Sequence, residues 1–450
     1  MRHILGLMTL LWATALTAQP VEKEARPFSL QQAQDYAAQH AYSVQQAQLE
    51  VQKARQTIRQ TAARGLPQIA GSFGYSYNAQ IREQPVPAQF VDPTAPEDEF
   101  VTLAFGVAHQ NTANLQLNQL LVDASYFVAL QATRVLKETR RLEKESTEID
   151  ARKNAAQSYY GVLIAQETEK VLEDNLENLR KNLRETRQLY EKGFVEEQDA
   201  DQLELLVNNL QNSLQNARRQ TRLARQLLKF NLGLPLTTPL RLTDDLATVV
   251  NPGNNKALLL ADTFRYQDHI DYRALRSQER GAILQVKNQK AKWYPTLNGV
   301  INHGQSRFSN DFEETFNFDA RWIPNTTFGV SLNWNILQGL SRPALVQEAK
   351  LDLERVAVAK EQTTSQLKLQ YQQALSDYRQ ALDNYRNQQQ NVNLSRSIRD
   401  KTLRKYQEGI SSSLELTQAQ NQFLETQRSY LNATRALLNA KEELENALGK

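Results

Sequence analysis

The sequence predicts a mixed α/β membrane protein, in which two pairs of bilayer-length β-strands are set between very long α-helices. Three observations carry that class. Short segments alternate aromatic and small polar residues with period two. Helical stretches run for tens of residues without proline. The order helix, strand, loop, strand, long helix then recurs after about residue 250, as an internal duplication would produce.

Met1-Arg2-His3 is a short positive start, Ile4 to Leu16 is mostly apolar, and Thr17-Ala18-Gln19-Pro20 follows. This pattern predicts a cleaved secretory signal over residues 1–18, with an apolar run too short to span a bilayer comfortably. The first repeat then occupies 19–250 and the second 251–450.

The first repeat opens with a helix over about 41–65, ending at Arg64-Gly65-Leu66-Pro67. A strand over 68–78 places Ile69, Gly71, Phe73, Tyr75 and Tyr77 on one parity and Ala70, Ser72, Gly74 and Ser76 on the other. A proline-rich acidic loop, 79–99, leads to a second strand over 101–112, where Leu103, Phe105 and Val107 alternate with small residues. A helix over 118–190 is broken in pattern only by Gly161 and measures roughly 108 Å. Leu172, Leu176, Leu179, Leu183 and Tyr190 recur along it at coiled-coil spacing. The signature Leu189-Tyr190-Glu191-Lys192-Gly193 ends it, and a helix over 196–232 returns.

The second repeat follows the same order. A helix over 269–293 ends at Trp293-Tyr294-Pro295, and strands cover 296–306 and 326–337 around an acidic loop, 307–325. Phe328, Val330, Leu332, Trp334 and Ile336 share one parity. A helix over 344–407 ends at Lys405-Tyr406-Gln407-Glu408-Gly409, and a last helix covers 412–448. In each repeat, one long helix matches two stacked shorter ones in length, a sensible unit for the wall of a tube. The helical tyrosines Tyr159, Tyr160, Tyr371, Tyr378 and Tyr385 read as packing residues.

Phe73, Tyr75, Tyr77, Phe328 and Trp334 are expected to face lipid or its interface. Four strands cannot close a barrel, and open edges in lipid would leave backbone groups unpaired. Several chains must contribute. Two would give eight strands and an interior filled by side chains, whereas three give twelve and room for water. The strands therefore point to a homotrimer with a 12-stranded barrel, four strands from each chain.

Composition excludes other classes. The chain has 53 Lys+Arg against 50 Asp+Glu, which leaves no basic excess for a nucleic-acid partner. Mean hydropathy of −0.60 excludes a bundle of membrane helices. With no cysteine there is no disulfide, thiol nucleophile or cysteine metal site. The five histidines are scattered, and no nucleotide-binding or metalloprotease motif occurs. No catalytic set, cofactor site or metal site can be named.

Several features together resemble the TolC family of outer-membrane efflux proteins, over roughly 28–449. They are the Leu66-Pro67 and Tyr294-Pro295 junctions, Leu337-Gln338-Gly339, the Tyr190/Gly193 and Tyr406/Gly409 turns, the run Leu416 to Asn421, and the terminal Ala447-Leu448-Gly449. The resemblance implies an outer-membrane β-barrel continued by a long periplasmic α-helical barrel. It implies a passive duct in a tripartite efflux or type I secretion system, driven by an inner-membrane pump of RND or ABC type through a periplasmic adaptor protein. It places adaptor docking at Tyr190, Gly193, Tyr406 and Gly409. It also carries a constricting acidic set onto Asp199, Glu415 and Gln418, where one charge is lost. The arginine that often follows the second-turn glycine falls on Ser411, and its tyrosine partner on Tyr406, so the arginine link is missing here. Two alternatives stay open at this point. Asp199 and Glu415 also read as solvated carboxylates near turns, and the whole chain as a periplasmic adaptor or a structural coiled-coil protein of the envelope, although the duplicated long hairpins and membrane-length strands argue against both of the latter.

Overall fold

The computed structural model describes residues 26–250, 264–315, 317, 319 and 321–449. The predicted signal segment lies outside the described residues. The described chain divides into two units. One takes residues up to Gln45, Thr147–Phe264 and the chain from Gln370, the other Gln46–Ser146 and Arg265–Leu369. Each unit draws on both sequence repeats.

The second unit holds the sheet. Its four strands are β2 (Gln68–Tyr77), β5 (His109–Val122), β7 (Thr296–Ser309) and β8 (Ile323–Asn333), antiparallel in the order β2-β5-β7-β8. Between β2 and β5 the loop forms its own hairpin, β3 (Glu83–Pro87) with β4 (Phe100–Ala104). The strand expected over 101–112 is therefore corrected. The alternation at Leu103 belongs to this hairpin, and the sheet strand starts at His109 and continues to Val122, which shortens the expected helix. Register decides the matter, because Gln68–Tyr77 pairs residue by residue with Asn118–His109. The strand expected to reach 337 ends at Asn333. Its partner ladder stops at Thr296, and the preceding Pro295 has no N–H to extend it. Trp334 lies just past the strand, where its indole donates to the Trp293 carbonyl at 3.2 Å.

Helices in this unit cap and brace the strands. The long helix α3 (Ala124–Glu191) begins at Asp123, whose Oδ1 accepts from the Ser125 backbone at 2.7 Å. Helix α2 (Tyr42–Ala63) meets it where the Tyr126 hydroxyl donates to the Ala62 carbonyl at 3.2 Å. A side chain at Gly65 would strike that tyrosine, at 2.5 Å from its oxygen. Helix α6 (Ile270–Ala291) is tied to α3 by Arg273–Glu145 at 2.5 Å, and to the helix α8 (Ser341–Gln407) by Glu279–Lys360 at 2.8 Å.

The first unit packs α1 (Leu30–His40), α4 (Glu197–Asn231), α5 (Leu246–Val250), α9 (Ser413–Ala447) and the later parts of α3 and α8, with the parallel pair β1 (Arg26–Phe28) and β6 (Leu240–Leu242). Tyr159, Tyr160 and Tyr378 are fully buried, and Tyr385 nearly so, in a core with Leu228, Leu232, Leu437 and Leu444. Buried tyrosine hydroxyls usually find partners, and among the described residues that of Tyr378 alone of the four has none. Tyr159 donates to the Phe28 carbonyl at 3.0 Å, and Tyr160 to Glu442 at 2.5 Å. A second cluster joins Leu176, Leu179, Leu203, Val207, Leu210 and Leu416.

Candidate functional site

Two places carry the expected functional residues: the paired helix turns in the first unit and the two-faced sheet in the second. In the turns, Gly193 has φ +78° and Gly409 φ +73°, the left-handed region that favours glycine. The closing bonds are duplicated. Gly193 N–H donates to Tyr190 O at 2.8 Å and Phe194 N–H to Leu189 O at 2.9 Å. In the second turn Gly409 N–H donates to Tyr406 O at 3.0 Å and Ile410 N–H to Lys405 O at 2.8 Å. The residue after each glycine is large, apolar and exposed, Phe194 at 74% and Ile410 at 71%. Neither was singled out from sequence, although their shared place after the glycine was a usable signal. Tyr190 is also exposed.

The acids sit at the third positions of the returning helices. Asp199 accepts from the Glu196 backbone N–H at 3.2 Å, inside a capping box. It also accepts the Ser413 hydroxyl from the other turn, and that hydroxyl lies 3.2 Å from Gln202. The Ser412 hydroxyl caps α9 by accepting from the Glu415 N–H at 3.2 Å, and Ser411 donates to the Glu415 carboxylate. Glu415 and Gln418 are exposed. Tyr406 does not meet Ser411. Its hydroxyl bonds with Thr186 at 3.1 Å, and burial, aided by the charge of Asp199, pushes its pKa up. The structure thus brings Asp199, Ser413, Thr186 and Tyr406 into one seam between the repeats and leaves Glu415 and Gln418 facing outward from it. Among the described residues, no group of three or more His, Asp or Glu side chains is placed to hold a metal ion.

In the sheet, register sorts the side chains onto two faces. Ile69, Leu117, Ile301 and Phe328 form one cross-strand row, with Phe73, Tyr75, Tyr77, Leu115, Val330 and Leu332 on the same face. The opposite face carries Gln68, Ser72, Gln110, Thr112, Asn114, Gln116, Asn302, Ser306, Asn325 and Thr327, with Val300, Phe308 and Ile323 among them, and no charged residue; the one charged side chain in the four strands, Arg307, shares the face of Tyr75 at its loop end. Phe73, Tyr77 and Phe328 are exposed at 57%, 61% and 74%. Tyr75 bonds to His109 at 2.9 Å, and both Tyr75 and Tyr77 stack on its ring. At this end of the apolar face the loop after β7, with the short helix α7 (Phe312–Thr315), folds back. Arg307 donates to the carbonyls of Glu314 and Asn317, and Asn111 to that of Thr315 at 2.5 Å.

With the two-faced sheet and the duplicated turns in hand, residues 34–234 and 267–450 match the family described as Outer membrane efflux protein. The chain belongs to that family. Solved structures agree in fold. The outer membrane protein VceC of Vibrio cholerae shares 15% identity, with 93% of this chain and 96% of that one covered and a TM-score of 0.66. The CmeC outer membrane channel of Campylobacter jejuni shares 15% over 93% and 85%, with a TM-score of 0.68. The open-state MtrE outer membrane channel of Neisseria gonorrhoeae shares 17% over 93% and 88%, with a TM-score of 0.68. Among curated proteins no sequence matches. The protein is an outer-membrane channel component of a tripartite efflux or secretion system, with a periplasmic portion, and serves an adaptor and an inner-membrane pump as a conduit rather than an enzyme.

Proposed function

We propose that three copies of the chain close a 12-stranded barrel through the outer membrane and that solutes leave through its lumen. The observation that carries this is the four-stranded sheet, with one apolar and one uncharged polar face and with β2 and β8 each paired on one side only among the described residues. Edges of that kind are intolerable in lipid unless a neighbouring strand covers them. Three sheets joined edge to edge satisfy every edge and leave a water-filled interior. Phe73, Tyr75, Tyr77 and Phe328 then face lipid or its interface, Trp334 sits at the periplasmic border, and the amide face lines the pore.

The duplicated turns are the docking end for the adaptor, and Tyr190, Gly193, Tyr406 and Gly409 shape it. Phe194 and Ile410 add apolar contact there. Asp199, Glu415 and Gln418 belong to the constriction. The pump, of RND or ABC type, supplies the energy. Native mass measurement in mild detergent is expected to give three chains. A stable single chain that conducts on its own overturns the reading.

A further inference from the structure

The seam between the two repeats repeats itself in sequence. Gly193 and Gly409 lie 216 positions apart, and the same offset relates other residues near the turns. Several side-chain hydrogen bonds join the repeats there: Gln420 donates to Asn175 at 3.2 Å, the Ser413 hydroxyl lies 3.2 Å from Gln202, and three further pairs are Thr186 with Tyr406 at 3.1 Å, Asn175 with Gln427 at 3.0 Å, and Asp199 with Ser413. For these last three, adding the offset to the first partner and subtracting it from the second gives three more pairs. Thr186–Tyr406 becomes Thr402–Tyr190, and Asn175–Gln427 becomes Asn391–Gln211, each with both residue types kept. Asp199–Ser413 becomes Glu415–Glu197, two acids.

Within one chain these second sets do not pair. Asn391 donates instead to Asn387, Gln211 accepts from Arg180, and Tyr190, Gln211, Glu197 and Glu415 are exposed. A single chain has no use for the retained Thr402–Tyr190 and Asn391–Gln211 residue types. A ring of alternating repeats does. There the second repeat of one copy meets the first repeat of the next as the two repeats meet inside a chain.

Resting on the trimer reading, we infer that the seam between copies uses Thr402 with Tyr190 and Asn391 with Gln211, and that it sets Glu415 against Glu197 where the seam within a chain has a hydrogen bond. The six seams around the closing end are therefore of two kinds. Three are fastened by Asp199 and Ser413. Three face like charges, which repel and are screened by salt. The seams between copies are the ones that part, and a cationic group on a docking partner would fit between the acids.

The chain has no native cysteine, so engineered pairs report without background. In the full chain purified from membranes, Tyr190→Cys with Thr402→Cys is expected to give disulfide-linked multimers on non-reducing gels. Thr186→Cys with Tyr406→Cys is expected to give only an internal link. Glu197→Ser supplies between copies the donor that Ser413 supplies within one. A hydrogen bond gained at each seam shifts its closed–open balance by about fivefold. Single-channel open probability or conductance in planar bilayers should fall accordingly, and Glu197→Gln should fall part-way. A Tyr190–Thr402 link that forms while both Glu197 variants conduct like wild type overturns the like-charge seam. A measured trimer in which that pair never links overturns the assignment of the seam and leaves the trimer standing.

Discussion

Replacing Tyr160 with phenylalanine tests the core of the helical unit at its most exposed point energetically, a buried carboxylate. Tyr160 is fully buried on α3, and Glu442 on α9 is 7% exposed; the hydroxyl donates to the carboxylate at 2.5 Å. Burial pushes the Glu442 carboxyl above its ordinary range, while the tyrosine bond pulls it back and Glu445 adds to the rise. Tyr160→Phe removes one oxygen and leaves no cavity of consequence. When Glu442 is ionised the loss is a charge-assisted bond inside the protein, about 1.5–3 kcal/mol, and when it is protonated a neutral one, about 1 kcal/mol. The sign follows from linkage. A carboxyl whose folded pKa is raised destabilises the fold above that pKa, and the penalty disappears as pH falls toward the unfolded value. The variant raises the folded pKa further, so its deficit against wild type should be largest at pH 8 and shrink by pH 5. Thermal melts in detergent by far-UV circular dichroism, at one scan rate, are expected to show a drop of a few degrees at pH 8 and a smaller one at pH 5. Glu442→Gln should abolish the pH dependence of that gap. Equal losses at both pH values, or none, would refute the buried charge-assisted bond.

Gly193→Val and Gly409→Val each force a β-branched side chain into the left-handed region, at a cost of about 1–3 kcal/mol. Open space around both glycines means assembly should survive while transport in cells falls, and a variant that exports normally contradicts docking at the turns. Phe328→Lys and Val330→Lys put a charge on the apolar face, worth about 2–4 kcal/mol near the bilayer middle. Recovery of the protein in the outer-membrane fraction should drop, whereas Thr327→Lys, on the polar face, should be tolerated; the reverse order would invert the faces. Asp199→Asn with Glu415→Gln should lower cation preference in bilayer recordings, and unchanged reversal potentials would remove both acids from the constriction.

What could be read from sequence depended on where the apolar residues lie. In β2 every outward residue from Phe73 to Tyr77 is aromatic, so the period stood out and its span was legible. In β5 the polar face is Gln110, Thr112, Asn114, Gln116 and Asn118, and the outward face offers only Leu115 and Leu117 beside Asn111 and Ala113. Amides of that density read as helix surface, while Leu103 and Phe105 nearby drew the strand into a hairpin that never joins the sheet. The turns were legible because glycine, tyrosine and spacing recur. The bonds that fasten them were not, since Ser413 reaches Asp199 across 214 positions, and only the folded seam shows that the two belong together.

The distribution of charge then assigns the work of selection. A pore lining of asparagine, glutamine, serine and threonine solvates a passing ion or molecule through dipoles that turn either end toward it, so it favours neither sign. Field focusing needs fixed charge in a narrow, poorly solvated passage. The polar face of the sheet has none. Asp199, Glu415 and Glu197 have it, and all three stand in the first turns of α4 and α9, where helix N-termini favour negative charge and two of the three carboxylates are held by serine hydroxyls. The Ser413 hydroxyl holds Asp199 in the seam with its charge intact, whereas Glu197 and Glu415 stand exposed. In the trimer proposed above, a cargo whose sign matters would be sorted at the turns rather than at the sheet, and a substitution in the sheet that leaves its polar face uncharged should alter how fast cargo passes and not which sign is preferred.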